Sequence, residues 1–201
     1  RYSHGQGLTS EMNGFEREVA EIKTEYNKSD TENGALGYYY LANKYLLYWE
    51  TAKNCMPEEK LFSDNYTLIA NLFKDMGSAE TAKTIAKNNA KAKMAKIKIP
   101  VAVRKDAATE ALFKQAFSAQ GWNETILIIN LRDTDWSIVK NEYTGAIVGR
   151  AQTAAIAAKN KNGDCILYIF TIMQDYNGSG YQSNAHRRTH DAAPMLCENV
   201  K

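Results

Sequence analysis

A hairpin signal in the last third of the chain constrains the fold more than any other feature. The pair Asn162-Gly163 lies between two largely apolar runs, residues 146–159 and residues 165–175. Asn-Gly between such runs is typical of a two-residue turn joining antiparallel strands, because both residues readily adopt a positive φ. A two-residue turn would place Lys161 opposite Asp164 and fix the register of the whole hairpin.

That register predicts which side chains face one another across the hairpin. The facing pairs are Ala157 with Tyr168, Ala155 with Phe170, and Arg150 with Asp175. Small side chains opposite large ones, and a positive charge opposite a negative one, stabilise a pair of strands. Residues 154–158 also have good helix propensity, but the hairpin signal favours a strand there.

The surrounding segments predict a helix followed by a four-stranded antiparallel sheet. Asp106 is a typical N-cap for a helix over residues 107–120. The four predicted strands are residues 124–131, 136–141, 146–159 and 165–175. In order and spacing over residues 106–176, this layout resembles the cystatin-like and NTF2-like rolls. The resemblance implies that the helix covers one sheet face and that a concavity forms at one end.

The first half of the chain has helical periodicity instead. Apolar residues recur every three or four positions, and Pro57, Gly77 and Pro100 interrupt the pattern. About four helices are predicted, near residues 11–28, 35–55, 64–76 and 79–98. We therefore predict an α+β protein with a helical region at residues 1–100. A helix and sheet follow at residues 101–181, and a polar tail at residues 182–201.

The composition excludes several classes of protein. With 44% hydrophobic and 24% charged residues, the chain has the make-up of a globular protein. It has no apolar run near the roughly 20 residues that span a bilayer. Cys55, Cys165 and Cys197 allow either one disulfide with one free thiol or three reduced thiols. Because the chain begins at Arg1 and Cys165 could pair with Cys197, we expect a secreted or periplasmic protein.

No arrangement of residues indicates a catalytic mechanism. The sequence lacks a phosphate-binding glycine loop and a dinucleotide fingerprint, and its three histidines lie in segments predicted to be loose ends. On a helix, His186 and His190 would face the same way and could bind a metal together with Asp191 or Cys197. The segment has no apolar shell to orient such ligands. We therefore predict no metal, no cofactor and no catalytic residue, and an enzyme is the less favoured interpretation.

A pocket between helix 107–120 and the sheet is one candidate binding site. The candidate wall residues are Trp136, Arg150, Gln152 and Tyr168. In the predicted register, Tyr168 faces the opposite side of the sheet from Arg150 and Gln152, so the four residues cannot all line one pocket.

Two surfaces of the helical region are further candidates. Lys83, Lys87 and Lys91 form a stripe within residues 63–105, a segment with nine basic and three acidic side chains, and could bind an acidic partner. Nucleic acid is not favoured as that partner, because the stripe has no aromatic or arginine contacts close by. The second surface is an aromatic cluster, for which core packing is favoured over a sugar or peptide platform; it contains Tyr38, Tyr39, Tyr40, Tyr45, Tyr48 and Trp49.

These observations favour a non-catalytic binding or protein-interaction protein that acts outside the cytoplasm. One alternative is a small-molecule enzyme or carrier that uses the pocket under helix 107–120. The other is a helical adaptor that uses the lysine stripe. The partner, whether a protein or a small molecule, is left open by the sequence.

Overall fold

The computed structural model describes the backbone of residues 4–201 and the side chains of residues 14–201. Contacts divide the chain into two compact units, one that ends at Lys93 and one that runs from Met94 to Lys201. The sequence predicts the end of the helical region near residue 100, a few residues later. Each unit has a hydrophobic core of its own.

The N-terminal unit, as far as the structure describes it, consists of helices. They are α1 (His4–Lys28), α2 (Glu32–Cys55), α3 (Lys60–Met76) and α4 (Ala79–Lys96), the number that the sequence predicts. Ile22 of α1 and Ile69 of α3 are buried in the common core. Tyr26 donates a 2.8 Å hydrogen bond to the carbonyl of Met76, which joins the end of α1 to the end of α3.

The C-terminal unit places one helix before an antiparallel sheet. The elements are α5 (Ala107–Ser118), β1 (Thr125–Leu131), β2 (Ser137–Lys140), β3 (Ile147–Lys159), β4 (Cys165–Asp175) and β5 (His186–Met195). The strand order is β1-β3-β4-β5, and β2 pairs with β3 along the same edge as β1. The predicted α+β fold with an antiparallel sheet is confirmed, and β3 is a strand rather than a helix.

The prediction of a polar tail at residues 182–201 is wrong, because β5 extends the sheet from four strands to five. β5 pairs with β4 from Met195 opposite Cys165 to His186 opposite Met173. Most of its side chains are exposed, as in many strands at the edge of a sheet. The sequence of β5 therefore lacks the apolar alternation by which a half-buried strand is recognised.

The hairpin between β3 and β4 lies where the sequence predicts it, but its loop has three residues rather than two. The amide of Asn160 donates to the carbonyl of Asp164 at 2.9 Å. The side-chain oxygen of Asn160 accepts from the amides of Asn162 and Asp164, each at 2.9 Å. Gly163 has a φ of 89°, as the last position of a three-residue hairpin loop requires. The ladder is therefore shifted by one residue from the predicted register.

The shifted register keeps one predicted stabilising feature and removes another. Small residues of β3 still face large residues of β4, in the pairs Ala154–Phe170, Ala155–Ile169 and Ala157–Leu167. Arg150, however, faces Gln174, so the predicted pairing of Arg150 with Asp175 is wrong. Asp175 contacts His186 instead, with 3.2 Å between the carboxylate and Nε2.

Both faces of the sheet are covered over much of their area. On one face, Phe113 and Phe117 of α5 pack with Phe170, and all three are buried. Buried side chains thus lie between α5 and the middle of the sheet, where one of the alternatives from the sequence places a pocket. On the other face, Ile99 packs with residues of β3 and β4.

Candidate functional site

The candidate site is built around Arg150, at the end of the α5 face where β3 begins. Its guanidinium carbon lies 4.6 Å from the ring centroid of Trp136, which precedes β2. It lies equally far, 4.6 Å, from the ring centroid of Tyr181, which belongs to the connection between β4 and β5. A cation between two aromatic rings gains roughly 0.5–2 kcal/mol from each, depending on how far it is desolvated. We call this arrangement the Arg150 clamp.

A hydrogen bond fixes the orientation of the guanidinium within the clamp. Nε of Arg150 donates to the side-chain oxygen of Gln174 at 2.8 Å, and Gln174 in turn donates to the carbonyl of Ser183 at 3.3 Å. Gln174 is buried, whereas Arg150 is only partly buried. The register that replaces the predicted Asp175 by Gln174 thus gives Arg150 a neutral partner instead of a charged one.

The positive charge of Arg150 has no counter-ion among the described side chains. No carboxylate of residues 14–201 lies within 4.0 Å of its nitrogens. Its terminal nitrogens also have no hydrogen-bond partner among those residues. A partly buried charge is usually paired, so the clamp presents unused, directional N–H donors.

Gln152 lies two residues along β3 from Arg150 and points to the same face. Its side chain is 1% exposed, and its nitrogen donates to the carbonyl of Asp133 at 3.2 Å. The side-chain oxygen of Gln152 is buried and has no partner within the described residues. The side chain of Gln152 is therefore held in place beside the clamp. Its oxygen is an acceptor without a partner among the described residues.

The loop that carries Trp136 is anchored by the two aspartates that flank its turn. A carboxylate oxygen of Asp133 accepts from the amide of Thr153 on β3 at 2.7 Å. Asp135 accepts from the amide of Trp136 at 2.9 Å. Both carboxylates are thus used by backbone amides, a common role of turn aspartates, and they position the Trp136 side of the clamp.

A second anchor ties this loop to the start of α5. Arg104 donates to the carbonyl of Asp133 at 3.4 Å and to the carboxylate of Asp106 at 2.6 Å. Asp106 caps α5 by accepting from the amides of Ala108 and Thr109. The hydrogen bond from Arg104, followed by those from Thr109, lowers the pKa of Asp106 to about 2. Arg104 therefore has a counter-ion in Asp106, whereas Arg150 has none among the described side chains.

The structure brings together three of the four predicted wall residues. Trp136, Arg150 and Gln152 lie at one end of the α5 face. Tyr168 is on this same face, contrary to the predicted register, because it pairs with Ile156. It lies six residues along the ladder from Arg150, about 20 Å at strand rise, and therefore does not belong to the clamp.

Tyr168 takes part in a separate aromatic cluster at the opposite end of the face. Its ring stacks on Trp122, with 5.1 Å between centroids and 14° between planes. Its hydroxyl donates to Glu124 at 3.0 Å. Burial first, and then this hydrogen bond, raise the pKa of Tyr168 well above its usual value.

Two residues of the clamp, Gln174 and Tyr181, are not predicted from the sequence. Gln174 is opposite Arg150 only in the observed register, and Tyr181 reaches the site only because β5 returns alongside β4. The Gly-rich segment before Tyr181 indicates a turn. If this turn is taken to lead into a further strand beside β4, Tyr181 falls at the end of the sheet.

The two histidines of β5 do not form the helical pair considered from the sequence. His186 pairs with Met173 and His190 with Phe170, so they lie on opposite faces of the sheet. His190 packs 4.9 Å from the ring of Trp122. Within residues 14–201, no group of three or more histidine, cysteine, aspartate or glutamate side chains is placed to hold a metal ion.

The lysine stripe of α4 is only partly available to a partner. Lys83 forms a 2.7 Å ion pair with Glu80, and this hydrogen bond, chiefly, raises the pKa of Lys83. Lys87 and Lys91 are exposed. The stripe therefore offers fewer unneutralised charges than the sequence suggests.

The chain matches no known family model, no curated protein sequence and no solved structure. Among the described residues, no helix combines the length and the apolar character that crossing a membrane requires.

Proposed function

We propose that this protein is a non-catalytic binding protein that acts outside the cytoplasm, and that the Arg150 clamp receives a carboxylate of its ligand or protein partner. One observation carries the proposal: a guanidinium held between Trp136 and Tyr181 has no counter-ion among the described side chains. An oriented guanidinium offers paired N–H donors that match the two oxygens of a carboxylate.

The chemistry of the clamp supports binding rather than catalysis. Arginine stays charged and serves as a hydrogen-bond donor, and the groups around Arg150 are amides and aromatic rings. Trp136 and Tyr181 restrict the guanidinium before a ligand arrives, which reduces the entropy cost of binding. Hydrogen bonds to charged groups contribute about 1.5–3 kcal/mol each, enough for recognition by one clamp with modest affinity.

The disulfide supports the proposed location outside the cytoplasm. Cys165 and Cys197 are bonded and join the start of β4 to the segment after β5. Disulfides of this kind persist mainly in oxidising compartments. Cys55 is exposed and free, so the chain has one disulfide and one remaining thiol.

Isothermal titration with sodium glutarate and with a short acidic peptide tests the proposal. We expect saturable binding by at least one of the two, and an affinity about ten- to a hundredfold lower in Arg150→Gln, since charge-assisted hydrogen bonds are lost. Arg132→Gln is the matched control, because Arg132 is an exposed arginine of the same unit. Absence of binding, or an equal loss in both variants, would contradict the proposal.

The same titration separates the proposed interaction protein from a small-molecule carrier. Trp136 and Tyr181 could equally cover the apolar part of a free carboxylic acid. Binding of glutarate as tight as that of the peptide would assign the clamp to a small molecule. Binding confined to the peptide would assign it to a protein partner.

A further inference from the structure

The N-terminal unit contains a groove of about 730 Å³ between α1, α2 and α3. This volume lies within the range of about 300–1,000 Å³ that is common for sites of small ligands. The groove uses no residue of the Arg150 clamp. Binding of a ligand in this groove is therefore independent of the function proposed above.

Aromatic side chains form the wall of this groove. Phe15 of α1 lies 5.0 Å from Trp49 and 5.5 Å from Tyr45, both of α2, between ring centroids. Phe62 of α3 lies 6.0 Å from Trp49. Tyr48 is 61% exposed beside them. Tyr45 and Trp49 pack against the helical core, as the sequence predicts, and they also line the groove together with the exposed Tyr48.

Carboxylates of α1 accompany the aromatic wall. Glu18 and Glu21 both line the groove, since residues three apart lie on the same face of a helix. The hydroxyl of Tyr45 donates to Glu18, and this bond, followed by burial, raises the pKa of Tyr45 to about 12. Glu18 is thereby held in place, and its second carboxylate oxygen accepts no hydrogen bond from residues 14–201.

Within residues 14–201, the carboxylates of the groove form no ion pair. Among residues 14–201, no lysine or arginine nitrogen lies within 4.0 Å of Glu18 or Glu21. Arg17 also lines the groove, so the lining carries two negative charges and one positive charge. A ligand of positive charge is the occupant that complements this lining.

We propose that this groove binds an organic cation, namely an alkylated ammonium group. Aromatic faces attract such cations through their quadrupole, and they are the usual walls of sites for quaternary ammonium groups. Glu18 and Glu21 supply the opposite charge, and the apolar rings accept the alkyl substituents. An anion would meet two carboxylates here, and a neutral apolar ligand would leave them without a counter-ion.

Titration of the full chain with choline chloride, followed by calorimetry, tests this proposal. The matched probe is 3,3-dimethyl-1-butanol, which has the shape of choline without its charge. We expect choline to bind at least about tenfold more tightly than the alcohol, because only choline gains the cation–π and carboxylate interactions. Equal binding of the two probes, or no binding of choline, would overturn the proposal.

Charge variants of α1 make the test specific to the groove. Glu18→Gln combined with Glu21→Gln should weaken choline binding about tenfold or more. Glu16→Gln, a matched change at an exposed position of the same helix, should leave it unchanged. Arg17→Gln should tighten binding by removing the competing charge. A loss in Glu16→Gln equal to that of the double variant, or weaker binding in Arg17→Gln, would contradict an organic cation in this groove.

Discussion

At the residue scale, the defining interaction is that of one cation with two rings and one amide. Arg150 could satisfy its charge with Asp175 if the hairpin had a two-residue loop, but the observed register gives it Gln174. The rings of Trp136 and Tyr181 partly replace a counter-ion, because an aromatic face attracts a cation without neutralising it. The clamp therefore keeps its net charge for a ligand.

Replacement of Arg150 by lysine separates charge from geometry. Lysine keeps the positive charge but loses the planar pair of donors. We expect Arg150→Lys to lower the affinity for the carboxylate probe about tenfold, while the free energy of unfolding changes by less than about 1 kcal/mol. Calorimetry and urea denaturation measure the two effects. Unchanged affinity would show that charge alone, and not the oriented fork, binds the carboxylate.

The contact between His186 and Asp175 predicts how the stability of the protein depends on pH. The hydrogen bond that Asp175 accepts from Nε2 of His186 is the main reason that the pKa of His186 is raised above 6.5. The pair's contribution to stability is therefore complete below pH 6.5, the unfolded value, and is lost as the pH rises through the higher folded pKa.

NMR titration of the imidazole protons checks this directly. Asp175→Asn should move the pKa of His186 back towards 6.5. Asp191→Asn, five residues from His186 on the same strand, is the control and should leave the titration unchanged. A wild-type pKa at or below 6.5 would show that the pair does not form.

At the scale of elements, the loop between β3 and β4 determines which residues share a face. A two-residue loop and a three-residue loop differ by one residue in register, and that difference decides whether Tyr168 lies on the face of Arg150. Gly163 and the Asn160 side chain specify the three-residue loop.

Replacement of Gly163 tests this loop. Because φ is 89° there, we expect Gly163→Ala to lower the free energy of unfolding by about 1 kcal/mol. Gly180→Ala is the control, since a Cβ at Gly180 meets nothing within 4 Å and Gly180 has no positive φ. Chemical denaturation compares the two variants. Equal, small effects of both changes would indicate a loop other than the one described.

The periodic elements could be predicted from the sequence, whereas the details of the site could not. Helix spacing identified α1–α4, and the apolar runs with their turns identified β1–β4. β5 was missed because an edge strand exposes most of its side chains and has no apolar pattern of its own. The register was missed because the side chain of Asn160, rather than Asn-Gly alone, sets the loop length.

The candidate site shows the same division. Trp136, Arg150 and Gln152 could be found from the sequence because they flank or belong to predicted strands. Tyr181 and Gln174 depend on the fifth strand and on the register, which are tertiary properties. The fifth strand and the register cannot be predicted from local propensity.

At the scale of the whole molecule, the disulfide joins the start of β4 to the segment that follows β5, the strand at one edge of the sheet. Cys165 and Cys197 are separated by 32 residues, and a loop of this size contributes about 3–4 kcal/mol by restricting the unfolded chain. The closed segment contains β4, β5 and the connection that carries Tyr181. The disulfide therefore stabilises the elements that hold one side of the Arg150 clamp.

Removal of the disulfide should loosen β5 in particular. We expect Cys165→Ala combined with Cys197→Ala to lower the free energy of unfolding by about 2–4 kcal/mol. Amide hydrogen exchange should show its largest loss of protection in β5. Cys55→Ser, which removes the exposed free thiol, should change neither measurement. Equal protection of β5 with and without the disulfide would contradict this role.

NMR chemical-shift mapping with sodium glutarate and with the acidic peptide tests whether the Arg150 clamp binds a carboxylate. The three tryptophan indole signals and the Nε–H signal of Arg150 can be followed in one titration with each ligand. We predict that, with at least one ligand, the signals of Trp136 and Arg150 shift along one saturating curve, while that of Trp49 does not move. Titrations in which Arg150 and Trp136 stay fixed would contradict the claim.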